Sequence, residues 1–153
     1  MFISEFLPPS AVSANLRATH KVAVLGELAA LAVKSQPGAD PQVLVDTLIA
    51  REKLQSTGIA DGYAIPHGKT LAVSSITAAV GISAAGVDFQ SNDGLPTHLF
   101  FALFVPDASH GMHLKALARV ARLIREKRIR EALIACTSAE ALYDLIIQED
   151  LRL

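Results

Sequence analysis

REKLQSTGIADGYAIPHGKT, residues 51–70, is the stretch on which the reading of the whole chain turns. Within it Tyr63-Ala64-Ile65 is a short apolar segment suited to a strand, and Pro66, His67 and Gly68 follow. Proline fixes φ on one side of the histidine, and glycine relaxes the backbone on the other. The expectation is an imidazole held at a strand end on a sharply placed turn, where residues more often carry function than packing. Taken alone, Ile65-Pro66-His67-Gly68 also fits an ordinary strand exit with a surface histidine.

Towards the N-terminus, Asp40 reads as a helix cap followed by Pro41 at the first helical position. Val43, Leu44, Thr47 and Leu48 form the inward stripe of that helix, which runs to Arg51 or Lys53 and delivers the chain to the central stretch. An earlier helix is predicted from about His20 to Lys34, capped at Thr19, with Val22, Leu25, Leu28, Ala29 and Ala32 at helical spacing. Residues 1–20 read as an edge strand or loop, because Leu7-Pro8-Pro9-Ser10 cannot be helical.

Towards the C-terminus, Ile76–Ser83 and Thr97–Val105 read as strands, separated by the turn signal Ser91-Asn92-Asp93-Gly94. The second is almost continuously apolar, as expected of a central strand covered on both faces. A helix starts near Met112, with Leu114, Leu117, Ala121 and Ile124 inward and Lys115, Arg119, Arg122 and Glu126 opposite. A short helix over about 129–135 follows. Thr137-Ser138-Ala139-Glu140 reads as a capping box for a last helix that turns Leu142, Leu145 and Ile146 inward. Two helices, then strands, then three helices predict an α/β sandwich, one domain over residues 1–153.

Half of the residues are hydrophobic (51%) and 19% are charged, which excludes a disordered chain. A net charge of -1 excludes a protein built to coat nucleic acid. The run Arg125-Glu126-Lys127-Arg128-Ile129-Arg130-Glu131 adds to a basic surface with Lys115, Arg119 and Arg122, but no aromatic residue interleaves it. It reads as a solvated face. Thr70 to Val87 carries no charge over eighteen residues, yet serines, threonines and glycines interrupt it, so no membrane insertion is expected. MFISEFLPPS has no basic residue ahead of an apolar core and is not a signal peptide, which points to the cytoplasm. The single cysteine, Cys136, permits no internal disulfide and reads as a buried small hydrophobe in a reducing compartment.

Chemistry falls to the histidines at 20, 67, 98, 110 and 113. A neutral imidazole is nucleophilic near neutral pH and can hold a phosphoryl group, which brings roughly -1.5 to -2 charges and so needs donors around it. Arg51, sixteen residues before His67, the hydroxyls of Ser56 and Thr57, the backbone at Gly58, and His113 in the first turn of a helix supply them. Arg51 also fits a solvated helix-terminal arginine. His113 fits a helix-terminal residue, or with His110 a metal pair, although acidic ligands are sparse nearby. His20 and His98 read as structural. No Gly-x-Gly-x-x-Gly and no Walker-type lysine loop occurs, which fits phosphate arriving from a protein in place of a nucleotide.

The stretch resembles the signature of the type-2 enzyme IIA domains of the bacterial phosphoenolpyruvate-dependent phosphotransferase system. Glu52, Ile59, Ala60, Ala64, Ile65, Pro66, His67 and Gly68 fall in the pattern's places, and Tyr63 stands where an aliphatic residue is usual. The resemblance covers nearly the entire chain, and REKLQSTGIADGYAIPHGKT with DGLPTHLFFALFVP is most similar to the nitrogen-regulatory members. It implies a mixed parallel and antiparallel sheet flanked by helices, His67 as phosphoacceptor, and Arg51 and His113 as supporting residues. It implies phosphate donated by an HPr-type carrier protein, regulatory protein partners, and neither cofactor nor metal. A sugar-specific component donating to an enzyme IIB, a phosphate-independent binding module and a metal-dependent hydrolase are the rival readings.

Overall fold

In the computed structural model, which describes residues 1–109 and 111–153, β5 (Thr97–Pro106) is the strand around which the sheet is built. Leu99 to Val105 are all buried, so β5 is covered on both faces, as its unbroken apolar run predicts. β4 (Thr77–Val87) lies antiparallel to it, with Val80 opposite Phe101, and β1 (Val12–Ser13) lies parallel to β4 on the far side. On the other side β2 (Tyr63–Ala64) and β3 (His67–Thr70) both pair with β5 in parallel. The sheet is therefore mixed, with the order β1-β4-β5 and then β2 and β3 at the edge.

Five helices flank it. α1 (Lys21–Val33) packs on α2 (Pro41–Leu54) and against β4, and α2 packs against β3. α3 (Met112–Ile124), α4 (Lys127–Ile134) and α5 (Ala139–Leu151) pack successively, with α4 against β4 and β5, and α5 against β1. The Asp40 cap forms as expected: its Oδ1 accepts the Gln42 N–H at 2.9 Å, one residue past Pro41. The last helix starts one residue later than its sequence signal. Ser138, not Thr137, is the N-cap and accepts the Ala141 N–H at 3.1 Å, so Glu140 falls outside the capping-box position.

Several expectations are corrected. β4 is longer than predicted because it continues through a bulge: Ile82 pairs with Leu99 and Val87 with Thr97, and Gly86 takes up the slack at φ 87°. His98 fastens this bulge by donating Nδ1–H to the Ser83 carbonyl at 2.8 Å, the structural role expected of it. Val22 and Val43 are exposed, not inward. Residues 1–20 hold two short 3-10 turns besides β1, and the cap of α1 is His20 instead of Thr19. Cys136 is half-buried, packed against the core with its thiol on the Ala132 carbonyl.

The largest correction concerns α3. Its buried stripe is Ala116, Val120, Leu123 and Ile124, whereas Leu114 and Ala121 are exposed. The helix is rotated by its arginine: Arg119 Nε reaches the buried Asp150 of α5 at 2.6 Å. A charge pair across the helices thus decides between two apolar stripes. For the same reason the basic run is not wholly solvated. Arg130 is buried and donates to the Ile124 and Arg125 carbonyls, and Arg128 pairs with Glu149.

Candidate functional site

His67 begins not a turn but a strand. Tyr63 faces Leu99 and His67 faces Leu103, so β2 and β3 keep a single register along β5 and are one strand interrupted at Ile65-Pro66. Pro66 has no N–H to offer, and its carbonyl accepts from the Leu103 N–H at 2.9 Å. A proline is tolerated here because the strand lies at the sheet edge. Upstream, Asp61 (φ 62°) and Gly62 (φ 75°) turn the chain through two left-handed residues. The Gly62 carbonyl then accepts from His98 and Leu99, which fixes where the edge strand starts.

Gly68 serves proximity, not backbone freedom, since it is absent from the positive-φ residues. A Cβ on it would sit 2.6 Å from Thr47 Cγ2 and 3.4 Å from the Thr47 carbonyl oxygen. The missing side chain lets α2 lie directly on β3. One turn beyond Thr47 is Arg51, half-buried, with Nη1 donating to the Gln55 carbonyl at 2.8 Å.

The imidazole itself is oriented by the backbone. His67 Nδ1 lies 2.7 Å from the Ile65 carbonyl oxygen. A carbonyl can only accept, so Nδ1 carries the proton and the lone pair resides on Nε2. Burial holds the ring's pKa below the ordinary 6.5, with the Arg51 and His113 charges pushing the same way, while the Ile65 hydrogen bond and the Glu52 carboxylate oppose them.

Glu52, beside Arg51, stands in the sequence only as a pattern residue, and it proves to be a hub. Its buried carboxylate is 3.0 Å from Lys21 Nζ and accepts both the N–H and the hydroxyl of Thr57. Lys21 also lies over the Phe89 ring, 4.7 Å from its centre. Nothing local in the sequence points to Lys21, because the pairing joins two helices. Ser56 Oγ donates to the Phe89 carbonyl at 3.4 Å and accepts the Gly58 N–H at 3.1 Å. The Ser56 and Thr57 hydroxyls are therefore engaged inside the loop. Gly58 lies against the connection between β4 and β5, where a Cβ would collide with Ser91 Oγ.

His113 lies in the first turn of α3, after the left-handed Gly111 (φ 85°). Its Nδ1 is buried and has no hydrogen-bond partner among the described residues. α2 packs against β3, so Arg51 stands near the end of the helix that covers the strand His67 begins, and the charges of Arg51 and His113 both lower the His67 pKa. His110, the other half of the candidate metal pair, lies outside the described residues. Among those residues no three His, Cys, Asp or Glu side chains gather as a ligand set.

The pKa direction at His67 has a measurable sign. Because the folded state disfavours the charged ring, the unfolded chain binds this proton more tightly. The neutral ring's contribution to stability is full above about pH 6.5 and is lost as pH falls from there through the folded value. A histidine NMR titration should place the His67 midpoint below 6.5, with Nδ1 protonated above it. A His67→Gln protein should lack that part of the pH dependence. A midpoint at or above 6.5 would contradict the burial argument.

Comparison with known proteins adds the following. A model of the family described as phosphoenolpyruvate-dependent sugar phosphotransferase system, EIIA 2, matches residues 5–149. The fructose-specific EIIABC component of Bacillus subtilis is 35% identical over 98% of this chain, and the chain spans 24% of that protein. A nitrogen regulatory protein of Pseudomonas aeruginosa is 36% identical over 95% of this chain and 94% of its own length. The crystal structure of nitrogen regulatory protein IIA-Ntr from Neisseria meningitidis superposes with a TM-score of 0.86 at 34% identity, covering 94% of this chain and 98% of that one.

Proposed function

The chain belongs to the EIIA type-2 family of the phosphoenolpyruvate-dependent phosphotransferase system, and from that premise we propose that His67 is its phosphoacceptor and that the protein is a nitrogen-branch regulatory component. The observation that carries the acceptor reading is the Nδ1–H bond to the Ile65 carbonyl, which leaves Nε2 with a free lone pair on a ring kept neutral by burial. In the transfer, the nitrogen–phosphorus bond of a phosphorylated HPr-type donor breaks, and its electron pair stays on the donor nitrogen. The Nε2 lone pair of His67 forms the new bond, while the proton stays on Nδ1, bonded to the Ile65 carbonyl. Exchange between two imidazoles is nearly balanced, so the protein's part is alignment and charge stabilisation.

Arg51 and His113 are the side chains that meet the incoming negative charge. Ser56 and Thr57 act from the loop: both hydroxyls are engaged within it, so they hold the backbone that follows Arg51. Nitrogen regulatory proteins of Pseudomonas aeruginosa and Bradyrhizobium diazoefficiens match the chain almost end to end at 36% and 37% identity, and the IIA-Ntr structure superposes on it, which supports a regulatory role exercised through the phosphorylation state. Appearance of a doubly negative group at His67 alters the surface that a partner meets. Among the described residues no helix is long and apolar enough to cross a membrane.

The test is intact-mass spectrometry under non-acidic conditions after mixing the protein with phosphoenolpyruvate, enzyme I and a carrier protein from the same organism. A gain of one phosphoryl mass is expected. No gain with demonstrably charged donors would refute the carrier reading in favour of a phosphate-independent binding module. Efficient onward transfer to an enzyme IIB, with support of sugar uptake, would instead identify a sugar-specific component.

A further inference from the structure

The basic run on α3 and α4 is largely paired off within the fold. Arg128 meets Glu126 and Glu149, Lys127 meets Glu131, and Arg130 donates to two backbone carbonyls. Lys115, Arg122 and Arg125 are different: all three are exposed, and none has an ion-pair or hydrogen-bond partner for its side chain among the described residues. Lys115 and Arg122 stand two helical turns apart on one face of α3, with Arg119 on the turn between them. Like charges three or four residues apart repel, so the helix carries this stripe at a cost to its own stability.

The stripe borders a recess. Lys115, Arg119 and Arg122 line it together with Ala118 and Met1, in a volume of about 310 Å³, and no carboxylate is among the lining residues. Its middle cation is held rigid. Arg119 is 18% exposed, and its Nε and Nη2 donate to the Asp150 carboxylate at 2.6 Å and the Asp150 carbonyl at 2.8 Å. Its guanidinium also lies over the Phe2 ring, and Nη1 is the spare donor, without a partner among the described residues. The acidic residue of the adjoining N-terminal turn, Glu5, is taken up by the Phe2 N–H. A guanidinium already fixed in place loses little freedom when it takes up an oxyanion.

We propose that this recess binds a small phosphate monoester as its dianion, with Arg119 as the fixed donor and Lys115 and Arg122 meeting the group from the turns on either side. The charges match. Asp150 offsets one of the three cations, and a phosphate monoester brings about -1.5 to -2 charges near pH 7. The three side chains offer charge-assisted hydrogen bonds to its oxygens, while Met1 and Ala118 suit an apolar ester group. Nothing in this binding requires His67 to be the phosphoacceptor.

The experiment titrates wild type, Lys115→Gln, Arg122→Gln and the double variant with methyl phosphate, following backbone amides and the Arg119 Nε–H by 15N–1H NMR, with sodium chloride as the control. A saturable shift centred on Ala118 and the Arg119 Nε–H is expected in wild type. Each single variant should weaken the midpoint about tenfold, the loss for one hydrogen bond to a charged group, and the double variant should show no saturation. Both side chains are exposed, so the variants should keep the wild-type melting temperature or slightly exceed it as the repulsion is removed. Shifts no larger than those sodium chloride gives at the same ionic strength would overturn the proposal. So would saturation centred on His67 and His113, or a wild-type midpoint in the double variant. Saturable binding of a tetraglutamate peptide at this face, with methyl phosphate silent, would overturn it in favour of a docking surface for an acidic protein.

Discussion

Replacing His67 by alanine is expected to abolish phosphoryl uptake altogether while leaving a folded protein. The side chain is half-buried at the start of an edge strand and its one hydrogen bond is to the local Ile65 carbonyl, so its removal opens no deep cavity. Lost with it is the nucleophile that the backbone presents with a free Nε2. Arg51→Met and His113→Gln are expected to behave differently, lowering the rate without changing the site of modification. A hydrogen bond to a charged group contributes ~1.5–3 kcal/mol, or about 10–150-fold in rate if it is made only in transfer. The two act on one group, so the double variant should lose less than the product of the single effects. Retention of a stable phosphoryl group in His67→Ala would move the acceptor to another histidine and sink the scheme.

How much of this is legible in the sequence depends on whether the determining contact is local. The Asp40-Pro41 start of α2 and the apolar run of β5 are readable because cap chemistry and double-sided burial leave marks within a few residues. Pro66-His67-Gly68 announces a special place, but not the geometry found there. The strand resumes at His67 because β5 offers the same register on both sides of the proline, and no local signal reports a partner strand about thirty residues away. Gly68 reads as a residue that relaxes the backbone, and its real role is to admit Thr47. The α3 stripe is ambiguous in sequence because Leu114-Leu117-Ala121 and Ala116-Val120-Leu123 are both plausible helical faces. Arg119 chooses between them, and its partner Asp150 comes from the end of the chain. Glu52 and Lys21 follow the same rule: the residues that hold the loop at Thr57 are joined by burial and charge, not by spacing.

The long-range pair of Arg119 and Asp150 gives the largest expected effect on stability. Asp150 is buried, and both of its carboxylate oxygens are engaged. Oδ1 accepts from Arg119 Nε at 2.6 Å, and Oδ2 accepts the Ile3 N–H at 2.7 Å. Arg119 also donates to the Asp150 carbonyl at 2.8 Å and lies over the Phe2 ring. One carboxylate thus ties the N-terminal turn and α3 to α5. Asp150→Ala would leave a largely buried guanidinium without a counter-charge and the Ile3 N–H without an acceptor. Removing one partner of such a pair costs about 3–5 kcal/mol, visible as a lower midpoint in urea and a melting temperature reduced by about 10 °C. Asp150→Asn keeps one acceptor and should cost less. Replacing both partners by apolar residues, as in Arg119→Met with Asp150→Leu, should recover much of the loss, because two apolar groups need no desolvated charge to be balanced. If Asp150→Ala costs under about 1 kcal/mol, the pair behaves like an exposed one, and another contact must set the rotation of α3. The rotation matters for function as well as for stability. α3 carries His113 at its first turn, so whatever fixes the helix about its axis also fixes where that imidazole lies.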